Sequence, residues 1–161
     1  MNLMKRIYLG FLLGILLLGL ILRLYKFDNP IADWHSWRQA DTSSVSRVFV
    51  EEGFDILHPK YHDLSNVPSG LNNPQGYRFV EFPIYNLFQA GLYKLSPILP
   101  LEEWGRVITI FASLSSILFI FLILKKHQNE RAGLIGAFIF SVLPFSVYYG
   151  RTILPDTSTA A

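Results

Sequence analysis

The chain has 161 residues, of which 51% are hydrophobic and only 16% charged, well under the roughly 25% of charged residues in an ordinary soluble domain. Fourteen Lys and Arg against twelve Asp and Glu leave a net charge of +2, too small and too scattered for a nucleic-acid binder. There is no cysteine, which excludes disulfides, thiolate metal sites and a cysteine nucleophile, so an exported loop must hold together without staples.

The apolar excess begins at once. Residues 1–25 contain Ile7–Leu22, "IYLGFLLGILLLGLIL", which carries no charge and follows Lys5 and Arg6. A helix needs roughly 17–25 apolar residues to span the hydrocarbon, and this one reaches that length if Arg23, Tyr25 and Lys26 snorkel to the far interface. A cleaved signal peptide is the competing reading. Bulky Leu, Arg and Tyr stand where a small-x-small cleavage site belongs, which favours an uncleaved first helix.

Residues 26–106 then form a loop too long to be a mere connector. It opens with "ADWHSWRQADTSSVSRVFVEEG", residues 32–53, in which Asp33, His35, Arg38, Gln39 and Asp41 lie close to Trp34 and Trp37. The stretch from Asp41 reads as a short helix with Val45, Val48 and Phe49 on one face and Gly53 as its stop. In that reading Asp41, just before Thr-Ser-Ser, is a normal N-cap. "HPKYHDLSNVPSGLNNPQGY" is rich in turn residues. His58 and His62, beside Asp63, have ligand-like spacing on a helical turn, but Pro59 and the turn-rich surroundings favour a solvated loop and no metal. The loop closes with a helix over 83–95, with Pro83 in its first turn. There Ile84, Leu87, Phe88, Gly91, Leu92 and Leu95 share one face, while Asn86, Gln89 and Lys94 turn elsewhere. Too short to cross, it reads as an amphipathic helix lying in the membrane interface.

Val107–Leu124, "VITIFASLSSILFIFLIL", is a second uncharged span, and Lys125, Lys126 and Arg131 crowd the turn 125–131 behind it. Ala132–Gly150, "AGLIGAFIFSVLPFSVYYG", is a third, followed by the segment 151–161. Short basic segments stay cytoplasmic. The chain is therefore expected to start inside, cross three times, and expose both 26–106 and 151–161 on the outer face of a cell membrane. Seven Lys and Arg against ten Asp and Glu in 26–106 suit a translocated loop.

This topology brings Asp33, Asp41, Glu81 and Asp156 to one membrane–water boundary, together with Arg38, Arg106 and Arg151. Guanidinium groups grip a phosphate through paired hydrogen bonds, and a carboxylate accepts a proton from an incoming hydroxyl. Each residue also has a plainer reading. Trp34 and Trp37 are interfacial anchors as readily as a platform for a sugar ring, Arg106 and Arg151 suit snorkelling, and Asp156 suits an ordinary loop. Glu81, between Val80 and Phe82-Pro83, is harder to dismiss because an unpaired carboxylate in an apolar stretch is costly.

"HSWRQADT", "EFPIYN", "WGRV" and "FSVLPFSVYYGRTILPDT", in this order, resemble the start of the bacterial GT-C glycosyltransferases. These include the dolichyl-phosphate-mannose–protein mannosyltransferase-like and the aminoarabinose-transferase-like membrane enzymes. The likeness runs from the first helix to Asp156. It implies the N-terminal part of a GT-C fold: an all-α membrane protein with three transmembrane helices and a long outer loop bearing short interfacial helices. The implied activity is inverting transfer of a sugar from a polyprenyl-phosphate donor to a lipid, glycan or protein acceptor on the outer face. The resemblance makes Asp41 or Asp33 the general base, with Asp41 inside the tighter motif, and gives Glu81 the task of orienting the acceptor or assisting the base. Arg38 and Arg151 become the phosphate contacts, and Asp156 the acidic position after the third helix. His35, Gln39, Arg106, Trp34 and Trp37 complete the substrate-binding candidates. The family often carries an Asp-Glu pair near the first acidic position, where this chain has Asp33-Trp34, so the base stays open between the two aspartates. Family members continue with more membrane helices and an outer domain, so the chain reads as an N-terminal portion.

The sequence points to no definite cofactor; a divalent cation held by neighbouring acids against the phosphate is a secondary option. The main rival is a non-enzymatic membrane protein, a sensor or assembly subunit whose outer loop binds a partner. A scaffold has no need of the acid–arginine set. A transporter fragment is a further rival, opposed by the lack of charge inside the three apolar segments.

Overall fold

Long uncharged runs of Leu, Ile and Phe give helices here, the one local structure that satisfies every backbone hydrogen bond within its own segment. The computed structural model describes residues 3–31, 33–66 and 70–156. Its regular elements are α1 (Leu3–Leu24), α2 (Ser36–Glu51), α3 (Ile84–Leu95), α4 (Leu101–His127), α5 (Glu130–Val142) and α6 (Pro144–Tyr149). Among the described residues the extended pairing is confined to one antiparallel bridge, Lys60 with Tyr77. The chain divides into two compact units, residues 1–27 with 109–161, and residues 28–108. Of the expected segment 151–161, positions 157–161 lie outside the described residues.

Among the described residues, two helices are long and apolar enough to cross a membrane: Met4–Leu24, in the first unit, and Leu101–His127, which starts in the second unit and runs on into the first. The second starts six residues before the expected Val107. Glu102 and Glu103 occupy its first turn and Lys125, Lys126 and His127 its last, each sign at the favourable end of the helix dipole. The expected third span is instead interrupted. Leu143 is extended (φ −60°, ψ 123°) between α5 and α6, because Pro144 pushes its predecessor out of the helical region and offers no N–H to the turn before it. The thirteen residues of α5 reach roughly 20 Å, short of the ~30 Å of hydrocarbon.

Leu12, Ile117, Phe121 and Ala137 form the core of the first unit. Gly133 lets α5 approach α4, since a Cβ there would lie 2.8 Å from the Phe121 carbonyl, the close backbone contact typical of helices packed in lipid. Phe11, Leu17, Ile123 and Phe145 point outward, while Arg23, Ser113, Ser141 and Ser146 are buried. Arg23 therefore corrects the sequence reading. It does not snorkel but lies inside the unit with no exposed surface, so the first span does carry a charge at its end.

The second unit packs α2 against α3. Val45, Phe49, Tyr61 and Ala90 make a small apolar core, with Val45, Val48 and Phe49 buried as their spacing indicates. Gly53, at φ +106°, ends the α2 segment in the left-handed region open to glycine. The rest of the α2–α3 contact is polar. Asn86 Nδ2 donates to the Thr42 carbonyl at 2.6 Å and to Ser46 Oγ at 3.0 Å. Ser46 Oγ donates to Gln89 Oε1 at 2.7 Å, and Gln89 Nε2 donates to the Leu101 carbonyl at 2.9 Å. The apolar face of α3 is left outside: Ile84, Phe88 and Leu95 are 53%, 59% and 83% exposed. Toward the protein this helix presents a mixed face of Tyr85, Asn86, Gln89 and Ala90; outward it is apolar.

Candidate acid–arginine site

The "HSWRQADT" stretch forms the first two turns of α2. His35 takes the left-handed conformation (φ 58°) just before the helix, and Ser36 N donates to the Asp33 carbonyl at 3.0 Å. The helix thus begins five residues earlier than expected. Asp41 sits in its second turn and is not an N-cap, which removes the plainest explanation for it. Gln39, fully buried, reaches back to fix the entry: Nε2 donates to Asp33 Oδ1 at 2.8 Å and to the Trp34 carbonyl at 3.1 Å. Asp33 thereby serves as the anchor of this turn.

Three-residue spacing puts Arg38 and Asp41 on one side of the helix, and a separate strand-like segment supplies what faces them. Tyr61 N donates to the Gly76 carbonyl, and Arg78 N to the Pro59 carbonyl, both at 2.8 Å. Gly76 makes this pairing possible, with φ +67° and no room for a side chain, since a Cβ would lie 2.6 Å from the Tyr61 carbonyl. The pairing delivers Arg78 to the α2 face. Arg78 Nη1 lies 3.1 Å from Asp41 Oδ2, with both side chains 10% exposed, and its guanidinium stacks 5.0 Å from the Tyr61 ring centre. Arg38 Nη2 donates to Glu81 Oε2 at 2.5 Å.

Burial pushes the Asp41 carboxyl above the usual carboxylate range; Arg78 and Arg38 pull it down and Asp63 pushes it up, and burial prevails. Asp41 Oδ2 is close enough to Arg78 to feel its charge but is not aligned with any donor among the described residues. It is a buried acceptor oxygen with an unused lone pair. A cleft that shares Arg78 with this pair, lined half by Thr42, Arg78, Glu81 and Asn86 and half by Val and Pro side chains, has a volume of about 10 Å³, room for about one water molecule.

Asp33, Arg38, Gln39, Asp41 and Glu81 thus belong to one assembly within residues 28–108, and Arg78, which sequence reading passed over, is at its centre. Trp34 and Trp37 are 71% and 66% exposed, with His35 edge-on to the Trp34 ring at 5.8 Å. Arg106 is buried inside α4 and is not an interface snorkel. Arg151 and Asp156 are described within the first unit. There Arg151 Nη1 donates to the Lys26 carbonyl at 3.5 Å and its guanidinium lies 5.5 Å from the Tyr148 ring centre, while Asp156 is exposed.

His58 and His62 are taken up by neighbours. His58 Nδ1 is 3.2 Å from Asp55 Oδ2, and His62 lies 2.9 Å from Ser44 Oγ and 3.3 Å from Glu51 Oε2. Among the described residues no group of three or more His, Asp or Glu is placed to hold a metal ion. No family model, no curated protein and no solved structure matches this chain.

Proposed function

We propose that this protein is a membrane glycosyltransferase of the GT-C type, which moves a sugar from a polyprenyl-phosphate donor to a hydroxyl of a lipid, glycan or protein acceptor. The observation that carries this reading is Asp41: a buried carboxylate with raised proton affinity, an undonated oxygen, and two guanidinium groups beside it. A general base needs that basicity. In the proposed step the acceptor O–H gives its proton to Asp41 Oδ2 as its oxygen forms a bond to the anomeric carbon. The bond from that carbon to the phosphate oxygen breaks on the opposite side, inverting the centre, and the electron pair leaves with the lipid phosphate.

Arg78 links base and leaving group. Paired with Asp41 in the resting protein, it is drawn toward an arriving phosphate. Its withdrawal removes the strongest influence holding the Asp41 pKa down, and its charge then stabilises the leaving group. Arg38, steered by Glu81, is the second phosphate contact. Glu81 also orients the acceptor. The exposed Trp34 and Trp37 and the outward apolar face of α3 suit a membrane interface. In this reading α5 and α6 together make a broken third crossing, the N-terminus is cytoplasmic and residues 26–106 are outside.

The mutual pairing of Asp41 with Arg78 and of Arg38 with Glu81 is also what a partner-binding loop needs to stay folded, which is the second reading. Asp41→Asn keeps shape and removes the base. Assayed in membranes with a lipid-linked sugar donor, it should cut turnover by about 10²–10⁴-fold, with Asp33→Asn losing less. Normal turnover in both variants would end the base assignment.

A further inference from the structure

Arg23 lies in the last turn of α1 with no exposed surface. A guanidinium has five N–H donors, and here each has an acceptor. Nε donates to Ser113 Oγ on α4 at 2.7 Å. Nη1 donates to the Gly19 carbonyl of its own helix and to the Ser141 carbonyl in the last turn of α5, both at 3.1 Å. Nη2 donates to Ser146 Oγ at 2.8 Å and to the Ser146 carbonyl at 3.3 Å, both on α6. These partners are all hydroxyls and carbonyls.

Of these carbonyls, that of Ser141 is available because the helix is broken there, while that of Ser146 also accepts from the Gly150 amide at 2.9 Å. An uninterrupted helix would close the Phe140 carbonyl with the amide of residue 144 and the Ser141 carbonyl with that of residue 145. Pro144 has no N–H, and Leu143 before it is extended, so the last turn of α5 is left with unmet acceptors. Arg23 meets the Ser141 carbonyl. A cation at that point also faces the negative end of the α5 dipole. Gly150 completes the socket: a Cβ there would collide with Arg23 Nε and lie 2.6 Å from both Ser113 Oγ and the Ser146 carbonyl.

We propose that Arg23 is the pin of the break between α5 and α6: at the Ser141 carbonyl its guanidinium takes the place of the residue-145 amide, which the break at Leu143-Pro144 withdraws, and so fixes the direction in which the chain continues into 150–156. Arg23 is a positioning residue for the segment that carries Arg151 and Asp156. The inference stands on this hydrogen-bond set alone and holds whether or not the protein transfers sugar.

A double-mutant cycle tests it, because Pro144→Ala lets the helix close through Leu143 and supply its own donors. In the detergent-solubilised protein, Arg23→Met should raise the unfolded fraction at fixed urea by at least about ten-fold, given the usual worth of hydrogen bonds to a charged group. In the Pro144→Ala background the same change should cost far less. Equal cost in both backgrounds would show that guanidinium and break are unrelated, and would overturn the proposal. Should Arg23→Met fail to fold, the cycle is run with Arg23→Lys, whose three donors can satisfy only part of the socket. The same non-additivity is expected there, and additive effects again refute the pin.

Discussion

Arg78→Met isolates the central pair of the second unit. The change keeps the length of the side chain but leaves the Asp41 carboxylate buried without its guanidinium neighbour at 3.1 Å. Removing one partner of a buried pair costs about 3–5 kcal/mol, but a carboxyl has an escape: it can fold protonated. At pH 7 that escape costs about 1.36 kcal/mol for each pH unit above an ordinary Asp value of ~3.9, a ceiling of about 4 kcal/mol. Lost stacking on Tyr61 adds about 0.5–1 kcal/mol that does not depend on pH. The sign follows from the direction of the shift. Asp41 is already raised in the folded protein, so the folded state holds the proton more tightly and stability from this group falls as pH rises from the unfolded value through the folded one. Without Arg78 the folded value rises further and the window widens upward. Urea unfolding in detergent, read from tryptophan emission, is a suitable assay, because Trp34, Trp37 and Trp104 all lie within residues 28–108. Relative to the parent protein, Arg78→Met should lose up to about 5 kcal/mol at pH 7, with the deficit shrinking toward pH 4 to the small part from lost stacking. Adding Asp41→Asn should recover most of it at pH 7. A deficit that is flat with pH, or one that Asp41→Asn leaves untouched, would refute the reasoning.

Two further outcomes follow from the same unit. Gly76→Ala places a side chain at φ +67° and against the Tyr61 carbonyl; it should cost on the order of 1–3 kcal/mol, displace Arg78, and show as a lower urea midpoint. The outward face of α3 should be in lipid. The chain has no native cysteine, so single nitroxides placed through Phe88→Cys and Leu95→Cys in vesicles should be reached by oxygen and shielded from a water-soluble nickel complex. A label at the exposed Gln75 should behave oppositely, and equal nickel access at all three positions would place α3 in water.

How much of this was legible in the sequence depends on how local the cause is. The helical class, two long apolar helices, the buried face of α2 and the turn at Gly53 follow from periodicity and glycine placement over a few residues. The start of α2 lies beyond a local reading because its first turn is held by Gln39 folding back on Asp33 and not by a capping side chain. Pro144 broke an apolar run whose composition alone suggested one crossing, since a hydropathy sum carries no penalty for a missing amide. Arg23 looked like a snorkel because its acceptors at Ser113, Ser141 and Ser146 lie 90 to 123 residues away in the chain. Arg78 was missed for the same reason, its partner Asp41 being met through the Tyr61–Gly76 pairing. A usable signal does exist: "GYRFVEF" sets an arginine three residues before a glutamate in an aromatic and apolar stretch that follows a glycine, where neither charge is cheap to leave alone.

The claim that Asp41 is a base restrained by Arg78 is tested most directly by the pH dependence of kcat/KM for sugar transfer in membranes. An acid limb above the ordinary aspartate range is expected, moving to higher pH when Arg78 is replaced by Gln and losing its amplitude in Asp41→Asn. A profile that neither substitution alters would contradict the account.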